Sequence, residues 1–92
     1  MIRVNRDNFR MTCSACPSQW EGKADDGRVI YVRFRHGEFT AGIGKTLDDA
    51  VAATMFAQEG ELICAVATDG DGHMTTAEME ELLKGKVQFY EC

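Results

Sequence analysis

Cys13 and Cys16 stand in a C-x-x-C arrangement, the spacing that lets two thiolates share one tetrahedral zinc, although a closed structural site takes four ligands. Cys64, Cys92, His36 and His73 form no second pair. Zinc and plain reduced thiols both stay open; a redox pair fits less well, because Cys16 leads into Pro17 and a strand-like segment rather than a helix. Further along, Asp69, Asp71, Thr75 and Glu78 supply oxygen donors around Gly72. Such donors suit calcium, a hard cation, and Glu78 can bind it through both oxygens. A third group is cationic and aromatic: Trp20, Arg28, Tyr31, Arg33 and Arg35. A guanidinium stacked on an aromatic ring presents fixed donors to phosphate or carboxylate. A fourth group is acidic: Glu78, Glu80 and Glu81, with Asp69 and Asp71 before them, form a surface suited to a Lys- and Arg-lined channel.

The carboxylate spacing resembles the latter part of an EF-hand calcium loop, with Asp69 and Asp71 at its third and fifth positions, Thr75 at the ninth and Glu78 at the twelfth. Its first ligand position falls on Ala67, which removes a carboxylate and weakens or abolishes the site. The segment before it, with Leu62, Ile63 and Val66, reads as a helix or equally as a buried strand. The residues after it form a helix that opens on a Thr75/Glu78 capping box and stops at Gly85. A degenerate loop kept as a turn and helix cap accounts for the same residues. Gly42-Ile43-Gly44-Lys45-Thr46 resembles the end of a phosphate-binding loop, but position 39 is Phe where that pattern needs Gly. A strand-to-helix turn suffices there.

The elements that must position these groups are read from periodicity. Between Asp26 and Gly37 the alternation sends Ile30, Val32 and Phe34 to one face and Val29, Tyr31, Arg33 and Arg35 to the other. Trp20, on the preceding strand, is expected beside Tyr31 on the second face. Strands over 18–23 and 28–36 form a hairpin around Asp25-Asp26-Gly27, and 38–43 adds the next strand. Residues 46–58 form a helix whose stripe of Leu47, Ala50, Val51, Thr54 and Met55 is expected to cover Ile30, Val32 and Phe34. A short strand ends the chain from Lys86. The fold class is α+β, an antiparallel meander of three to four strands packed against two to three helices, as one domain over 1–92.

Composition bounds the rest. Ninety-two residues, 45% hydrophobic and 27% charged, suit one core. No apolar run approaches the roughly 20 residues that span a bilayer, and the N-terminus lacks the apolar centre of a secretory signal, so a cytoplasmic protein with no membrane partner is expected. The net charge of -5 is unevenly placed: residues 1–45 hold eight basic and five acidic side chains, +3, and residues 46–92 hold two and ten, -8.

Cys16-Pro17-Ser18-Gln19-Trp20-Glu21-Gly22, followed by the aromatic and arginine strand from Asp26 to Gly37, resembles a group of small proteins encoded by bacteriophages and prophages. The resemblance is densest over 13–44 and implies a phage context, with expression in the cytoplasm of an infected bacterium. It transfers no catalytic residue. Phages encode compact acidic proteins that block host defence by binding, anti-CRISPR proteins among them. The expected function is therefore stoichiometric inhibition of a bacterial CRISPR effector complex, through its protein and its bound RNA, without enzymatic activity or cofactor. The expected contact residues are Trp20, Arg28, Tyr31, Arg33, Arg35, Asp69, Asp71, Glu78, Glu80 and Glu81. A small zinc- or calcium-binding regulator and a phage structural or housekeeping protein remain alternatives.

Overall fold

The computed structural model describes residues 1–14, 18–35, 37–55, 60–67 and 74–91. The architecture is α+β. Strands β2 (Phe9–Ser14), β3 (Ser18–Lys23), β4 (Val29–Arg35), β5 (Glu38–Gly44) and β6 (Glu61–Ala67) form a five-stranded antiparallel sheet in sequence order. The meander is longer than the three to four strands expected, because 61–67 adds an edge strand. Strands β1 (Ile2–Asn5) and β7 (Val87–Tyr90) pair in parallel as a separate two-stranded sheet, and a short 3-10 helix, Arg6–Asn8, links β1 to β2. Helices α1 (Leu47–Thr54) and α2 (Thr76–Leu82) complete the described elements.

The β-branched and aromatic run of β4 makes it the central strand, paired from Lys23–Val29 to Ser18–Phe34 on one side and from Val29–Gly44 to Arg35–Glu38 on the other. Residues opposite one another in antiparallel strands share a face. One face therefore carries Ser18, Trp20, Ile30, Val32, Phe34, Phe39, Ala41 and Ile43, all buried. The turn between β3 and β4 closes through Ala24 N–H to Arg28 O at 2.8 Å and Gly27 N–H to Ala24 O at 2.9 Å, with Gly27 at φ 90°.

The cover on that core face is not α1, as expected, but α2 with β1 and β7. Met74, Met79, Leu83, Val4 and Val87 join Trp20, Ile30, Val32, Phe34 and Phe39 in one cluster. Helix α1 lies across the opposite face, where a side chain at Gly42 would meet Ala50 O at 2.5 Å and the Ala53 Cβ at 2.8 Å. Gly42 pairs with Tyr31, so α1 shares the Tyr31 face. Its buried residues are Ala50, Ala53 and Thr54, whereas Leu47 and Met55 are exposed. The helix seats its small residues against glycines, and a stripe of large side chains would hold it off the sheet. The expected helical residues beyond Met55 lie outside the described residues.

Two polar contacts fix α2 on β3. The Trp20 indole N–H donates to Thr76 Oγ1 at 3.1 Å, and buried Ser18 accepts from Met74 N–H at 3.0 Å. The chain ends are tied to the β3–β4 turn: Asp25 N–H donates to Arg3 O, and the Tyr90 hydroxyl donates to the Asp25 carboxylate at 2.6–2.7 Å. Arg3 lies over the Tyr90 ring at 4.8 Å.

Candidate partner-binding surface

The described elements cover only part of the second face of the sheet. An eight-residue helix is about 12 Å long, and five strands are about 19 Å across. α1 seats on β4, β5 and β6. No described element packs extensively on β2 or β3 from this side, and the face carries Arg10, Cys13, Gln19, Glu21, Lys23, Tyr31, Arg33 and Arg35. Glu21 lies opposite both Arg10 and Tyr31, Arg35 opposite Glu38, and Arg33 opposite Gln19 on one side and Thr40 on the other.

Tyr31 is buried at the border of this surface. Burial pushes its phenol above the ordinary tyrosine value, an effect opposed by nearby Arg33 and by hydrogen bonding with Gln19. Arg33 is half-buried, makes no ion pair among the described residues, and its Nε is a buried donor without an acceptor. Arg35 is exposed.

Two residues of the cationic and aromatic group do not belong to this surface. Trp20 is fully buried on the core face, opposite Val32, because its register is even with Ile30, Val32 and Phe34 rather than with Tyr31. Arg28 is engaged by Asp26, at 2.8 Å, with Glu61 at 3.9 Å. That side-chain hydrogen bond holds Asp26 below the usual carboxylate range. Arg10, Gln19 and Lys23, which sequence reasoning did not single out, do join the surface; alternation along β2 and β3 was the signal, once the pairing was known.

The acidic residues sit on the other side of the sheet, on α2. Glu78 is occupied by its capping box, accepting from Thr75 N–H at 3.1 Å and from the Thr75 hydroxyl at 2.9 Å. Glu80 accepts two hydrogen bonds from Arg6, at 2.7 and 3.0 Å. Glu81 is exposed. Asp69 and Asp71 lie outside the described residues.

The metal readings fare differently. The segment before the acidic loop is strand β6, not an entering helix, and Thr75 and Glu78 satisfy one another, so the described part has cap geometry rather than EF-hand geometry. Cys13 is exposed, and its C-x-x-C partner Cys16 and the fourth cysteine, Cys92, lie outside the described residues. Among the described residues no cluster of three or more His, Cys, Asp or Glu is placed to hold a metal ion. The phosphate-loop candidate resolves into the end of β5, where Gly42 and Gly44 admit α1: a side chain at Gly44 would meet the Asp49 Cβ at 2.5 Å. No helix among the described residues is long and apolar enough to cross a membrane.

No family model, curated protein or solved structure matches this chain.

Proposed function

We propose that this protein is a small phage-type inhibitor that acts by stoichiometric, non-catalytic binding to a bacterial CRISPR surveillance complex. The observation that carries the reading is the second face of the sheet, where Arg33 and Arg35 stand at the end of β4 on the side opposite the acidic helix α2. The one surface holds Arg10, Lys23, Arg33 and Arg35 beside Glu21 and Glu38, and the helix on the other side of the sheet holds Glu78, Glu80 and Glu81. A complex with protein grooves and bound RNA offers partners of both signs. The resemblance of residues 13–44 to phage-encoded proteins supplies the biological context.

The test is phage plaquing in hosts carrying defined CRISPR systems, with and without this protein expressed. Protection of a targeted phage, together with co-purification of the effector complex, supports the reading. Protection is expected to fall in Arg33→Ala with Arg35→Ala while the variant keeps the cooperative thermal unfolding of the parent, because Arg35 is exposed and Arg33 makes no ion pair among the described residues. Absence of protection in every system overturns the CRISPR assignment. A folded double variant that protects as well as the parent removes this face from the contact.

A further inference from the structure

The arginines of this molecule differ in what stands beside them. Arg6 is held by Glu80, Arg28 by Asp26, and on the second face of the sheet Arg10 faces Glu21 and Arg35 faces Glu38 across their strands. Arg33 has no acid opposite it. Its cross-strand neighbours are Gln19 and Thr40, neutral side chains that can each donate a hydrogen bond. The row Gln19, Arg33, Thr40 crosses the middle strands of the sheet; Gln19 also bonds the Tyr31 phenol and keeps a second amide hydrogen to give, and the Arg33 Nε is left without an acceptor. Buried donors are ordinarily paired, and an unpaired one favours any rearrangement that supplies an acceptor. Nε and the neighbouring Nη form the fork that a carboxylate fills with two parallel hydrogen bonds, and because Nε is buried where it stands, that contact requires the outer torsions of Arg33 to rotate.

We propose that Arg33, flanked by Gln19 and Thr40, takes the carboxylate of an acidic side chain on a partner protein. The assignment deepens the binding reading above by naming the group recognised. Charge favours a single carboxylate over a nucleic-acid backbone, because Glu21 and Glu38 stand on the same face at either side of the Arg33 row and repel a continuous run of phosphates. A carboxylate is also the more basic acceptor, and so the stronger hydrogen-bond partner for a guanidinium.

The full-length protein, labelled with nitrogen-15, is titrated with sodium acetate at ionic strength held constant with chloride, and the Nε–Hε resonances of the arginines are followed, with Arg33→Lys used to assign the Arg33 signal. A parallel titration uses dimethyl phosphate, a monoanion like a nucleic-acid linkage. The expected result is a saturable downfield shift of Arg33 Nε–Hε with acetate, larger than that of Arg10 or Arg35, smaller with dimethyl phosphate, and reduced in Gln19→Leu with Thr40→Val. An unsaturating drift common to all arginines overturns the site. A tighter response to dimethyl phosphate overturns the carboxylate assignment in favour of phosphate. These outcomes are independent of plaquing: a protein that protects phage but gives no Arg33 response keeps the proposed function and loses this site.

Discussion

Tyr31 and Trp20 stand one residue apart in register and on opposite faces, and each makes a prediction. The Tyr31 phenol is pushed up by burial, so the fold favours its neutral form. Its stabilising contribution is fully present below the unfolded value of about 10 and is lost as pH rises through the higher folded value. Tyr31→Phe should therefore flatten the alkaline decline in stability, read as urea midpoints from pH 8 upward. Parallel declines in parent and variant would assign that decline to other groups. Trp20 combines full burial with a bonded indole N–H. Trp20→Phe should cost roughly 1–3 kcal/mol, and a double-mutant cycle with Thr76→Val should show coupling of about 0.5–1.5 kcal/mol. Strict additivity would mean that the bond to Thr76 contributes nothing to the docking of α2.

Among the elements, α1 depends on the absence of side chains beneath it. Gly42→Ala places a methyl 2.5 Å from Ala50 O, a backbone atom that cannot swing aside, so the helix must lift from β5. The expected cost is roughly 1–3 kcal/mol, or a fall in Tm on the order of 4–8 °C per kcal/mol, measured by thermal unfolding. A variant as stable as the parent would show that α1 is not seated on the sheet. Strand β6 carries an extra residue, Ile63, opposite the Ala41–Gly42 step, and Lys86 donates from its ammonium to Ile63 O at 3.1 Å. A bulge and a lysine are devices that keep an edge strand from recruiting another chain, and here they act on an edge with Leu62 and Val66 exposed.

Over the whole molecule, charges from the two halves of the sequence partly meet, as Arg6 does with Glu80 and Arg28 with Glu61. Elsewhere Arg33 and Arg35 lie on the face opposite α2, whose Glu78, Glu80 and Glu81 come from the acidic half. A partner held by such surfaces should bind less tightly as salt rises, because the Debye length falls from about 10 Å at 0.1 M to about 3 Å at 1 M. Retention of the captured complex on immobilised protein, washed across that range, measures this. Retention that is flat with salt would count against a charge-driven contact.

The alternation of 29–35, the Asp25-Asp26-Gly27 turn and the Thr75/Glu78 capping box are local, fixed by neighbours in the chain, and the amino-acid sequence by itself determined them. It determined too that Ile30, Val32 and Phe34 share one face and Tyr31, Arg33 and Arg35 the other. Which helix covers which face was decided only in the tertiary structure. Small residues at Ala50 and Ala53 mark close approach only when Gly42 and Gly44 are known to lie opposite them, and the parallel β1–β7 pair joins the two ends of the chain. The side taken by Trp20 follows from the hairpin register, which sets it against Val32. A shift of one residue in that register would turn Trp20 outward, because successive side chains in a strand point to opposite faces, and the same shift decides which groups gather around Arg33.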